Sequence, residues 1–261
     1  LREHPGVRLV AVSNRGRASA AEAAHAFGIG DVVDDWRELV GRDDVDAVLV
    51  TAAAALHEEA TRRAIEHGKH VLCEAPLAAS SAAARALLEA AEAAPIVHGY
   101  VHPRPLLDGG ERVAELLANG AIGEVASARL ALGHPGSGGD LPRPVLAGIA
   151  AGVCVHLFGE VARVDGNVLA TEAGPEIELA LGDGGRDGLR VEGSTGALVW
   201  DWKPSRITVE RDGAADEIAF EPSPWRPTRD FVDAVLAGRR PALDFRRGAH
   251  ELELVERLLG G

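Results

Sequence analysis

Three short stretches gather side chains with the chemistry of a ligand site: Ser13-Asn14-Arg15, Thr51-Ala52-Ala53 and Glu74-Ala75-Pro76. Each follows an apolar run of strand length. In a doubly wound α/β sheet, ligands bind outside the carboxyl ends of the strands, so these three stretches would line one crevice. Arg15 and Arg17 suit a phosphate such as the 2′-phosphate of NADP, because a guanidinium matches phosphate geometry with paired donors. Two solvated surface arginines explain them equally well.

Other chemistries find less support. A dinucleotide fingerprint needs a strand, then G-x-G-x-x-G, then a helix. No stretch qualifies, since Gly28-Ile29-Gly30 follows a helix and lacks the third glycine. There is no P-loop. Residues 182–188 (GDGGRDG) read as a β-hairpin turn, and residues 193–196 (GSTG) as a turn between strands. His57, His67 and His70 lie close in sequence, but no HExxH or CxxC accompanies them, so no metal site is expected. His57 is read as opening a helix and His67 as ending it, where the dipole favours a cation. Cys73 and Cys154 fall in strand-like apolar runs (HVLCE, GVCVH) and are read as buried, inert thiols.

The elements that would position these residues follow from hydrophobic patterning. Residues 7–13, 45–51, 70–73 and 96–101 are apolar runs without alternation. Helical stretches at 19–27, 34–40, 56–67 and 80–93 alternate with them. That pattern predicts a parallel sheet covered on both faces, a Rossmann-like doubly wound half-domain. The pattern changes near residue 100. Residues 109–119 read as a helix, 124–132 as a half-exposed strand and 134–143 as a loop. Short strands follow at 176–181, 189–192, 197–200 and 206–210, separated by Gly-rich turns, and two helices (231–237, 249–259) close the chain. Two domains are therefore expected: 1–100, and 101–261 with a mostly antiparallel α+β sheet.

Composition bounds the partners. With 46% apolar and 26% charged residues the chain is ordinary globular material. It carries 27 basic against 40 acidic residues, a net charge of −13, which disfavours nucleic acid and anionic membrane as partners. No run is long and apolar enough for a membrane span. Two cysteines exclude a disulfide framework and fit the reducing cytoplasm. The chain opens at Leu1, contains no methionine and shows no signal peptide. It reads as the continuation of a longer polypeptide.

Residues 43–78 (DDVDAVLVTAAAALHEEATRRAIEHGKHVLCEAPLA) resemble the signature region of the Gfo/Idh/MocA oxidoreductases, whose members carry GKHVLCEKPLA where this chain has GKHVLCEAPLA at 68–78. Weaker similarities follow at 120–125 (GAIGEV), 191–199 (VEGSTGALV) and in DFVDAVLAGRRP. The resemblance implies a nucleotide-binding Rossmann domain followed by an α/β substrate and oligomerisation domain. It also implies hydride transfer between NAD(P) and a hydroxyl carbon of a sugar, cyclitol or related compound, and a homodimer or homotetramer. It places His57 and Glu74 along the cofactor, with Ala52-Ala53 where the family has Thr-Pro. Asn14 followed by Arg15 is closer to members that use NADP than to those that use NAD. The family's first strand and glycine loop would precede Leu1. Its catalytic Lys corresponds to Ala75. His156 corresponds to a catalytic His, with Gly152 where an Asp would stand four residues earlier.

Three readings follow. An oxidoreductase would rely on His156 as the remaining acid/base, helped by Arg104 or Glu160, although a packed core histidine accounts for His156 as well. A non-catalytic member would keep the fold for binding or as a subunit partner, as inert residues at 52, 53, 75 and 152 suggest. A fragment would lack a strand and expose a sheet edge.

Overall fold

The computed structural model describes residues 4–101, 109–133, 142–172, 174–182, 187–203, 205–221 and 227–260. Arg104 and most of the 134–143 stretch lie outside them. The chain divides into two compact units, Leu1–Val101 with Trp225–Leu252, and His102–Pro224 with Glu253–Gly261. The two units are discontinuous in sequence, unlike the two consecutive domains, 1–100 and 101–261, expected from the patterning.

The first unit carries parallel strands. β1 (Ala11–Val12) pairs with β2 (Asp31–Val32), and β3 (Ala47–Val50), β4 (His70–Glu74) and β5 (His98–Val101) form a separate sheet in that order. Of the apolar run at 7–13 only Ala11–Val12 is paired, and β2 was not anticipated because two residues carry no periodicity. The helices are α1 (Arg17–Phe27), α2 (Trp36–Val40), α3 (Ala54–Glu66) and α4 (Ser81–Ala93). Gly28 ends α1 in the left-handed conformation at φ 66°. Ser80 caps α4, its Oγ accepting the Ala83 N–H at 3.2 Å.

Both faces of the sheet are covered at β4 and β5, which explains their unbroken apolar runs, whereas β3 buries Val48 and Val50 and leaves Ala47 and Leu49 exposed. Val71, Cys73 and Tyr100 pack with Ala64, Ala84 and Leu87 of α3 and α4. Phe245 and Ala249 of α8 (Phe245–Leu258) join the same cluster. On the other face Leu72 and Val101 meet Phe231 of α7 (Pro227–Ala237). Gly99 permits that approach, because a Cβ there would lie 2.7 Å from Leu72 and 2.9 Å from Phe231. Leu49 of β3 is 41% exposed.

The second unit is built on one eight-stranded sheet of order β13-β12-β11-β10-β6-β9-β8-β7. In chain order these are β6 (Val125–Leu132), β7 (Val161–Asp165), β8 (Val168–Thr171), β9 (Glu176–Leu181), β10 (Gly188–Gly193), β11 (Gly196–Trp202), β12 (Ser205–Arg211) and β13 (Ala214–Ile218). Every pair is antiparallel except β6 with β9. One face buries Leu130, Ile177, Val191, Leu198 and Ile207 against α6 (Arg143–Phe158), α5 (Gly110–Ala118) and the end of α8. The other face is polar, with Arg129 paired to Glu178 at 2.8 Å and Arg190 to Glu210 at 2.9 Å. Alternation along β6 and β10 follows from this one-sided burial.

The structure departs from the sequence pattern at two places. Residues 182–188 are not a β-hairpin turn, because β9 and β10 are not neighbours; β6 lies between them. Asp187 instead accepts the Gly133 N–H at 2.7 Å, tying that connection to the end of β6. The GVCVH run is helical, lying within α6, where Gly152, Val153, Cys154 and Val155 are all buried. A helix apolar on every side is a core helix, and a short apolar run does not distinguish it from a buried strand.

Candidate functional site

The carboxyl ends of β3 and β4 lie side by side, since Val50 pairs with Cys73 in parallel register. Beyond them Thr51, Ala52 and Ala53 are exposed, Glu74 and Ala75 are half-buried, and Pro76 is exposed. Thr51–Ala53 and Glu74–Pro76 therefore form adjacent strand-end loops on the edge where ligands of parallel sheets bind. Ser13, Asn14 and Arg15 follow β1, with Asn14 and Arg15 exposed, but β1 pairs with β2 in a separate two-stranded sheet, so strand pairing brings together only the other two of the three stretches.

His57 is the fourth residue of α3, not its opening residue, and is only 2% exposed. Its Nδ1 lies 2.7 Å from the Pro76 carbonyl oxygen and its Nε2 lies 2.9 Å from that of Ala52. Glu74 ends β4. Burial pushes its carboxyl above the ordinary carboxylate range, while the charge of His57 pulls the other way.

At the turn after β1, the Asn14 side chain accepts the Arg15 N–H at 2.8 Å. Arg17 grips both oxygens of Asp34, at 2.9 and 2.8 Å. That exposed pair adds little stability but occupies the guanidinium. Arg15 makes no ion pair among the described residues, so it is the arginine available to an anion.

The neighbouring histidines have separate tasks. His67 caps α3. His70 Nδ1 accepts the Val97 N–H at 2.8 Å. Among the described residues no three metal-binding side chains converge. Cys73 and Cys154 are buried, and desolvation pushes each thiol up to about 12.

The catalytic candidate His156 lies in the last turn of α6, in the second unit, whereas Ser13, Asn14, Arg15, Thr51, Ala52, Ala53, His57 and Glu74 lie in the first. Gly152 is buried one helical turn before His156, and Glu160 follows the helix as an exposed residue. Sequence reasoning missed Asp34, which engages Arg17, and the two carbonyls that hold His57. Neither has a signal in local spacing.

Comparison with known proteins places this geometry. Residues 1–100 match the family model described as oxidoreductase family, NAD-binding Rossmann fold. A dTDP-3,4-didehydro-2,6-dideoxy-α-D-glucose 3-reductase of Streptomyces antibioticus is 31% identical over 296 aligned residues, covering 98% of this chain and 89% of the relative. The chain belongs to the Gfo/Idh/MocA oxidoreductase family. A 1,5-anhydro-D-fructose reductase of Ensifer adhaerens is 42% identical, but over only 45% of this chain and 34% of the relative. Among solved structures, a 3-ketoreductase from Actinomadura kijaniata in complex with TDP-benzene and NADP superposes with a TM-score of 0.87 at 24% identity. It covers 100% of this chain and 91% of the other. The fold is thus a Gfo/Idh/MocA one, a Rossmann domain with a parallel sheet followed by a mostly antiparallel sheet domain.

Proposed function

We propose that this family member binds NADP(H) at the strand-end loops of the first unit and reduces a keto group on a nucleotide-linked deoxysugar. The observation that carries the reading is the reach of the similarity. The dTDP-sugar 3-reductase of S. antibioticus aligns along nearly the whole chain, whereas an inositol 2-dehydrogenase of Burkholderia ambifaria matches 47% of it. The first unit would be the cofactor domain. The second would supply the substrate pocket and, through its polar sheet face, contacts between copies. The buried free cysteines fit a reducing cytoplasm.

The residues present fit the cofactor in kind. Arg15 offers a charge for a 2′-phosphate. Thr51, Ala52 and Ala53 give a low, open wall that leaves room for a ring, and Glu74 offers an acceptor to ribose hydroxyls. The bound nicotinamide supplies the hydride. His156 would hold the proton that the developing alkoxide needs, an imidazole being suited to that exchange near neutral pH. Titration calorimetry with NADPH and NADH tests the first half. Saturable binding that favours NADPH is expected, and absence of binding to both by folded protein overturns the reading. NADPH oxidation in the presence of a dTDP-linked 3-keto sugar tests the second half.

A specific set of residues favours a second reading, a binding protein without turnover. Ala75 stands where the family resemblance puts its Lys, and Gly152 where it puts an Asp. The chain has a single tyrosine, Tyr100, which is 2% exposed, and its Lys69 is held on the Arg42 carbonyl at 2.8 Å. A lysine-to-alanine variant of the Actinomadura 3-ketoreductase has been solved with TDP-benzene and NADP, so losing a lysine is compatible with holding both ligands there. Under this reading Ala75→Lys introduces turnover that the natural chain lacks. Under the first, His156→Ala abolishes a turnover already present.

A further inference from the structure

His57 makes contacts that a helix residue chosen only for packing would not need. Ala52 lies two residues beyond β3, and Pro76 lies two residues beyond β4. These strands are hydrogen-bonded neighbours, so one imidazole spans the two adjacent strand-end loops. The ring is buried at 2% exposure while the loop residues it holds, Ala52 and Pro76, are exposed. A carbonyl that could otherwise turn toward solvent is in each case turned onto the ring.

That orientation has a consequence one bond further on. A trans peptide is planar, with its C=O and N–H pointing opposite ways. Among the described residues the one cis peptide is Ala75-Pro76, so the 52–53 and 76–77 peptides are trans. Drawing the Ala52 and Pro76 carbonyls to His57 therefore turns the Ala53 and Leu77 N–H groups away from the ring. Ala53 is the N-cap of α3, and no side chain caps that end. The orientation of the first donor at the helix entrance is set by the ring.

We propose that His57 is a positioning residue of the cofactor edge, a two-point clamp that fixes peptide groups 52–53 and 76–77 before the ligand arrives. The inference rests on the proposed cofactor reading for its ligand and on the two hydrogen bonds for its geometry; both partners are carbonyl acceptors, so holding the two at once takes an N–H on each ring nitrogen, the doubly protonated ring. A preorganised edge binds more tightly because the ordering of both loops has already been met in folding. His57 touches neither substrate nor reacting atoms in this role.

The test pairs NADPH titration calorimetry with amide hydrogen exchange of loops 51–55 and 74–78 in the ligand-free protein. Natural chain, His57→Ala, His57→Gln and His57→Asn are compared at a temperature where circular dichroism shows each folded. His57→Ala should weaken NADPH binding roughly tenfold and speed exchange in both loops, the loss expected for released hydrogen bonds. His57→Gln and His57→Asn keep one amide donor and should recover part of the affinity. They carry the test if the alanine variant does not fold. A residue that only stabilises the core would lower the melting temperature and leave the dissociation constant of the folded protein unchanged, and that result overturns the proposal. If the natural chain binds no NADPH, the cofactor reading fails by itself. The exchange data then decide the clamp: faster exchange in both loops supports it, and unchanged exchange overturns it.

Discussion

The Tyr100 hydroxyl donates to Glu251 Oε2 at 2.9 Å, while Glu251 Oε1 accepts Arg247 Nε at 2.9 Å, so β5 and α8 share one buried carboxylate. Burial first, and then the neighbouring carboxylate, push the Tyr100 phenol well above its ordinary value and keep it a neutral donor. Tyr100→Phe should destabilise the protein by about 1–3 kcal/mol, and Glu251→Ala by more, because it removes the acceptor of both the Tyr100 and the Arg247 hydrogen bonds. Urea unfolding of the two variants checks the order. Equal effects would mean that the carboxylate matters only as a partner for Tyr100.

Acid should loosen the first unit. His70 Nδ1 accepts the Val97 N–H, and His98 Nδ1 accepts the Phe245 N–H at 3.2 Å, so each ring must be neutral at that nitrogen. Burial holds both below the ordinary histidine value; for His98, Asp244 opposes the shift and Arg240 adds to it. With folded values below the unfolded one, the unfolded chain binds more protons. Stability is then fully present above the unfolded value of about 6.5 and is lost as pH falls toward the folded values. Melting temperature followed from pH 7.5 down to 5 should drop. His70→Asn, which keeps an acceptor for Val97 without titrating, should reduce the drop.

Cofactor preference should follow Arg15 more than Arg17. The Arg17 guanidinium is already held by Asp34. Arg15→Ala is expected to weaken NADPH binding about tenfold, the equivalent of one charge-assisted hydrogen bond, and to leave NADH binding unchanged. Arg17→Ala should have the smaller effect. Calorimetric titration of both variants with both nucleotides decides the matter, and equal losses for NADH and NADPH would remove Arg15 from the 2′-phosphate.

Both thiols should be silent in the native protein. Cys73 and Cys154 are buried, and desolvation raises each to about 12, leaving almost no thiolate at neutral pH. A chromogenic disulfide reagent at pH 8 should react with neither until denaturant is added, and then with both. Fast reaction of one thiol in the folded protein would show that its part of the core opens readily.

Much of the architecture was legible because it is local. The helix ending at Gly28, the Ser80 cap and the parallel run of residues 70–74 depend on neighbours within a turn or on unbroken apolar runs. What escaped depends on contacts far apart in sequence. Strands β9 and β10 look like a hairpin because Gly-rich residues join them, yet β6, from over forty residues earlier, claims the space between. α7 and most of α8 return to the first unit through Phe231 and Phe245, which no pattern near residue 230 announces. In the candidate site, topology alone brought Thr51–Ala53 and Glu74–Pro76 into view. The hold of Asp34 on Arg17 and of His57 on two carbonyls is tertiary, with no trace in spacing.

The return of Trp225–Leu252 to the first unit also bears on how the chain is made. Phe231, Phe245, Ala249 and Leu252 are core residues of a unit whose strands all lie before residue 102. A ribosome emits those strands first and the helices that cover them last, with the whole second sheet translated between. During synthesis the early strands must wait with an apolar face uncovered, and a polypeptide stopped at residue 101 would be left in that state. The first unit can therefore complete its core only after the last helices have been synthesised.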